Sequence, residues 1–197
     1  MFLLLGDVFR KSNEIDKAER YNDKSYLLLS GKFTDADHFL RKGYIEMYRI
    51  NYSKAKEYFI LGLKSFKERD IFTYPLYLRE LGFVSLKLGN LLDAKQYLYE
   101  SIHFQEKYGF NGISSETYLY LSFLEKLQKN KILELHYLEK SLKFNQGDVK
   151  LLSDIYLAFK DFYSRNNNSD KENEFYQKFK SINDSLLEKE KNNIVAD

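Results

Sequence analysis

The sequence predicts an all-α solenoid of about five stacked helical hairpins, followed by a polar C-terminal helix. A short phrase ending in alanine recurs at Ala18, Ala55 and Ala94, in steps of 37 and 39 residues. A glycine stands twelve residues before each alanine, at Gly6, Gly43 and Gly82. The 197 residues include only one proline and nine glycines, too few breaks for anything but long helices.

The first unit, 1–34, carries Gly6, then Ile15-Asp16-Lys17-Ala18, then Tyr21. The second, 35–73, carries Gly43, Tyr52-Ser53-Lys54-Ala55 and Tyr58-Phe59. In the third, 74–113, the counterparts are Gly82, Leu91-Leu92-Asp93-Ala94 and Tyr97-Leu98. Two weaker copies, 114–150 and 151–184, place Glu134 and Glu172 in the alanine column after steps of 40 and 38. Their apolar faces read Tyr118, Leu121, Leu138 and then Tyr156, Phe159, Tyr163, Tyr176. A small residue in a hairpin's first helix lets the second approach, and large residues three and four apart fill the seam. Gly82 and Ala94 are therefore expected to face each other. Ile50-Asn51 and Leu88-Gly89-Asn90 read as turns within hairpins. Ser30-Gly31, Gly109-Phe110-Asn111-Gly112 and Asn145-Gln146-Gly147-Asp148 read as linkers between them. One hairpin cannot bury its apolar side alone, so neighbours must stack.

Residues 1–184 form the repeat domain in this reading, and 185–197 a separate helix. Ser185 and Glu188 have the spacing of a capping box, and the stretch beyond is polar. Its only large apolar residues are Leu186, Leu187, Ile194 and Val195, two pairs that could seed a coiled coil with a second chain. The helical pattern begins almost at Met1, and no turn signal closes the other end. The chain is therefore expected to be a piece of a longer protein, homodimeric through this helix.

Composition narrows the function. Lysine plus arginine number 31 against 29 acidic residues, a net charge of +2, without the basic bias of a phosphate-bound protein. No nucleic-acid partner is expected. Cysteine is absent, which removes thiolate metal sites and thiol catalysis. No apolar run resembles a secretory signal or a membrane span, so the expected compartment is cytoplasm or periplasm.

Catalytic patterns are missing. His38, His103 and His136 sit in different repeats, and no pair has the spacing of a helix-borne metal site. Gly31-Lys32-Phe33-Thr34 lacks the upstream glycine of a phosphate loop and has phenylalanine where the hydroxyl belongs. Glu172 and Glu174, among asparagines and lysines, read as solvated rather than as an acid–base pair. The expectation is no enzyme activity, no cofactor and no metal.

The repeat resembles the tetratricopeptide family. Leu78, Leu81-Gly82, Gly89-Asn90, Ala94, Leu98 and Ser101 match its signature offsets best. Phe39, Gly43, Asn51-Tyr52, Ala55, Phe59 and Gly62 match in the second unit, and Leu5-Gly6, Phe9, Ala18 and Ser25 in the first. The chain departs from the family in its longer steps, its lack of tryptophan and the missing proline after the second helix. The resemblance implies a right-handed superhelix whose first helices line a concave groove. Carried over residue by residue, it places Arg41, Tyr44 and Tyr48, then Arg79, Phe83 and Lys87, then Tyr120, Phe123 and Lys126 in that groove. Aromatic side chains among cations suit a peptide with acidic and apolar groups, although acidic Asp37, Glu80 and Glu116 lie along the same surface. The carboxylate clamp of some members is not expected, because Leu3 and Asp7 occupy its first-repeat offsets.

The phrase Tyr176-Gln177-Lys178-Phe179-Lys180-Ser181-Ile182-Asn183-Asp184-Ser185-Leu186 is similar to the end of the tetratricopeptide region in certain bacterial sensor histidine kinases and transcription regulators. These resemblances imply a non-catalytic protein- or peptide-binding module, the sensory or interaction part of a bacterial signal-transduction protein. The alternative is a stand-alone scaffold or peptide receptor that mediates protein assembly.

Overall fold

A computed structural model describes residues 14–28, 35–65, 73–109 and 111–195. Among them are nine helices: α1 (Ile15–Leu28), α2 (Asp35–Tyr48), α3 (Tyr52–Lys64), α4 (Tyr74–Lys87), α5 (Leu91–Tyr108), α6 (Asn111–Leu127), α7 (Lys131–Phe144), α8 (Val149–Arg165) and α9 (Ser169–Val195). The chain is an all-α helical repeat of hairpins, as the sequence predicts. It divides into two compact units, 1–107 and 108–197. Gly6, Leu3, Asp7 and the Gly31–Thr34 stretch lie outside the described residues.

The four described hairpin turns are built the same way. Ile50, Gly89, Lys129 and Asn167 adopt left-handed backbone with φ of 60, 76, 60 and 55°. Each is followed by an asparagine whose N–H donates to the carbonyl five residues back: Asn51 to Glu46, Asn90 to Ser85, Asn130 to Glu125 and Asn168 to Tyr163, at 2.9–3.0 Å. This closes the first helix on its own orphan carbonyls. The asparagine side chain then caps the second helix, Oδ1 accepting from the N–H of Lys54, Leu133 and Lys171 in three of the four turns.

In the first unit the core gathers Ala36, Ala55, Phe59, Tyr77, Leu81 and Val84. Ala18, Ala55 and Ala94, the alanine column, are all buried. Each glycine makes room for a large side chain of the facing helix. A Cβ on Gly82 would stand 2.5 Å from Leu98 Cγ, and one on Gly43 would overlap the Phe59 ring. The residue one turn beyond the alanine fills the glycine's notch, because side chains tilt toward the N-terminus of their helix and cover the preceding turn. Gly62 plays the corresponding part for the next hairpin, leaving room for the Tyr77 ring, whose hydroxyl donates to the Ala36 carbonyl.

The α1–α2 seam is different in kind. Only Ala18, Asn22 and Ser25 of α1 are buried. The rest is polar: Lys42 Nζ reaches Glu19 at 3.1 Å and Asp23 at 2.9 Å, and Arg49 reaches Asp16 and Glu19, each at 2.8 Å.

In the second unit Leu119, Leu138, Ile155, Phe159, Phe162, Tyr163 and Phe175 form the core, with Phe159 and Phe175 stacked at 4.4 Å. Ser115 and Ser141 tie α6 to α7 by donating to each other's carbonyls at 2.8 Å. Glu134, in the alanine column, is buried and paired with Arg165 of α8. The helix expected to start at Ser185 is not a separate element. Nothing between Ser169 and Val195 interrupts the backbone, and Ser185 lies inside the 27-residue α9. With no glycine or proline in that stretch, the serine has no exposed helix start to cap.

Candidate protein-binding site

The first helices of the hairpins carry the nine residues expected to line a groove, and each unit has its own set. In the first unit Tyr44 sits on α2 with its ring edge-on to Phe59 at 5.8 Å and its hydroxyl donating to Glu80 Oε1 at 3.0 Å. Arg79 of α4 donates to the same oxygen from Nε at 3.0 Å and from Nη2, which also lies 3.5 Å from the Tyr44 hydroxyl. Arg79 and Glu80 are both buried, 8% and 1% exposed. Their pairing orients Tyr44 but spends the guanidinium charge inside the protein. Phe83 is half-buried, edge-on to Tyr52 at 6.4 Å, and Lys87 Nζ lies 5.2 Å from its ring centroid. The structure thus joins Tyr44 with Arg79, and Phe83 with Lys87. Arg41 is half-buried and Tyr48 is exposed at the end of α2.

In the second unit Tyr120 is buried, and its hydroxyl donates to Glu116 at 2.7 Å. Its ring centroid is 6.3 Å from that of Phe123, a half-buried side chain packed on the core. Lys126 donates to Asp161 of α8 at 2.6 Å, and Arg165 Nε donates to the same carboxylate oxygen at 3.2 Å. Burial pushes the Asp161 carboxyl up, but the two cations outweigh it and hold it below the usual carboxylate range.

Sequence reasoning named the cations and aromatics but missed what stands opposite them. Asp161 of α8 faces Lys126, and Glu80 holds Arg79. Among the described residues no group of three or more His, Asp or Glu is placed to hold a metal ion. His103 and His136 are exposed, and His38 is a seam residue. An open pocket of about 310 Å³ on the last hairpin is lined by Lys160, Ser169, Glu172, Asn173 and Tyr176. Lys160 and Glu172 face each other there at 3.7 Å. No described helix is long and apolar enough to cross a membrane.

Solved structures share this architecture. The structure of YrrB, titled a TPR protein with an unusual peptide-binding site, is 19% identical, with a TM-score of 0.52 over 92% of this chain and 84% of that one. The fold is of the tetratricopeptide type. BtubC from P. vanneervenii matches at a TM-score of 0.72 and 16% identity, over 94% of this chain and 80% of that one. PilW, described as a widely conserved type IV pilus biogenesis factor, matches at 0.67 and 18%, over 91% and 76%. No family model and no curated protein matches the sequence.

Proposed function

We propose that this chain is a non-catalytic scaffold that holds a protein or peptide against the first-helix faces of its hairpins. The observation that carries this reading is the half-buried aromatic on that face in each unit. Phe83 and Phe123 are anchored on the core yet still reach solvent, beside the charged Lys87 and Lys126. Anchored aromatics lose little conformational entropy on binding and make good hot spots. The likeness to PilW, a biogenesis factor by its title, supports an assembly role over a sensory one. A signalling role rests on the Tyr176–Leu186 phrase, which lies inside α9 rather than at a helix boundary. Screening a displayed peptide library against the wild type, Phe83→Ala and Phe123→Ala tests the proposal. Selected peptides should lose about 2 kcal/mol or more of binding with at least one variant. Binding indifferent to both would move the site off these faces.

A further inference from the structure

We infer that the open end of the last hairpin, on α8 and α9, is a docking surface for a helix of a partner protein. That helix presents two apolar side chains four residues apart and an arginine six residues beyond them. The surface is additional to the first-helix faces and does not depend on them.

The repeat itself defines the place. The turns at Asn130 and Asn168 have the same geometry, so α8–α9 carries the register of α6–α7 shifted by 38 residues. In that register Leu157 is the counterpart of Leu119, Glu172 of Glu134 and Tyr176 of Leu138. On α6–α7 the following helix covers all three positions. Leu119 and Leu138 share a core with Ile155 and Phe159 of α8, and Glu134 takes Arg165. Leu119 and Leu138 are accordingly 3% and 1% exposed, whereas Leu157 and Tyr176 are 45% and 44% exposed. Lys160, Glu172 and Tyr176 line the one open pocket of about 310 Å³, and Leu157 stands one turn along α8 from Lys160. Whereas α7 ends after 14 residues, α9 runs on for 27. Among the described residues no helix follows to fill the place that α8 fills on α6–α7.

The equivalent contact inside the protein gives the partner's chemistry. Ile155 and Phe159 are the apolar pair, and Arg165 lies six residues beyond Phe159. Glu172 meets Lys160 at 3.7 Å, with both side chains about one-third exposed, a weak contact. An arginine can take a carboxylate through two donors, as Arg165 takes both oxygens of Glu134, while Lys160 swings to solvent on its flexible stem. A glutamate at the arginine's place would meet like charge.

The test is a fluorescence anisotropy titration of the full chain with a labelled, helix-stapled peptide of the 149–165 sequence. A second peptide carries Arg165→Glu. The arginine peptide should bind the wild type about 10-fold more tightly than the glutamate peptide, a comparison that needs no protein variant. Glu172→Gln and Tyr176→Ser should each weaken the arginine peptide about 10-fold, with circular dichroism showing both variants folded. Glu172→Arg should reverse the preference between the peptides. Equal binding of the two peptides to the wild type overturns the arginine assignment. No binding, or binding that ignores Tyr176→Ser, as when the peptide merely displaces the chain's own α8, overturns the docking surface. Self-association of the chain in light scattering that Tyr176→Ser abolishes would give this end to a second copy and overturn the partner helix.

Discussion

Gly82 of α4 lies directly beneath Leu98 of α5, so close that an added methyl would stand 2.5 Å from the leucine Cγ and 3.4 Å from its backbone nitrogen. Ala94, one turn earlier, is fully buried. Gly82→Ala gains about 1 kcal/mol of helix propensity but must displace Leu98. The net change is expected to be a loss of about 1–3 kcal/mol. Ala94→Leu should cost at least as much. Urea unfolding measures both, and an undiminished midpoint for Gly82→Ala would mean that the seam tolerates the extra atom.

Ile50 is the odd member of the turn set. A β-branched residue at φ 60° is strained, and its side chain is 72% exposed, so it gains little from burial. Ile50→Gly should raise stability by about 1 kcal/mol. The matching change Gly89→Ile should lower it by a similar amount. Thermal melts of both variants, moving in opposite directions, would verify the shared turn geometry.

The pairing of Glu134 with Arg165 replaces an alanine contact with a charge pair. Removing only the cation, in Arg165→Leu, leaves a carboxylate that is 3% exposed without its main partner and should cost about 2–3 kcal/mol. Adding Glu134→Ala to that variant should restore most of the loss, since the column is then alanine again. A double-mutant cycle reads the coupling. Additive losses would mean the pair contributes nothing.

The polar α1–α2 seam should make stability depend on pH. His38 is buried against Tyr26, whose ring stacks on it at 4.1 Å, and lies 3.2 Å through Nδ1 from Asn22 Nδ2. Burial lowers its pKa from 6.5. Lys42 lowers it as well, while Asp23 and Asp35 oppose the shift. Because the folded state resists the proton, full stability holds above pH 6.5 and declines as pH falls below it. Glu19 acts in a separate, lower window. Burial raises its pKa, but hydrogen bonds from Arg49 and Lys42 prevail and hold it below 4.5, so its stabilisation is lost under more acid conditions. Unfolding free energies between pH 7.5 and 5 should slope for the wild type and flatten for His38→Phe. Equal slopes would remove His38 as the cause.

The repeat register was legible because burial enforces it: Ala18, Ala55 and Ala94 fit only where helices touch. The turns at Ile50-Asn51 and Gly89-Asn90 were legible from asparagine and glycine. The equivalent Lys129-Asn130 and Asn167-Asn168 were not read, because lysine and asparagine are common throughout this chain. Pairing was the harder part. Composition cannot say that Arg79 turns inward with Glu80 or that Lys126 is held by Asp161, since burial and partners depend on how neighbouring helices lie. The helix expected from Ser185 failed for a local reason: a capping box marks a helix start only where the preceding backbone is not already helical.

The most direct measurement places a photoreactive amino acid at Phe83 or Phe123, with exposed His103 as control, and maps cross-links in cells. A scaffold that works through its first-helix faces should yield the same discrete protein adducts from these face positions and none from His103. Adducts from His103 alone, with the face positions silent, would contradict it.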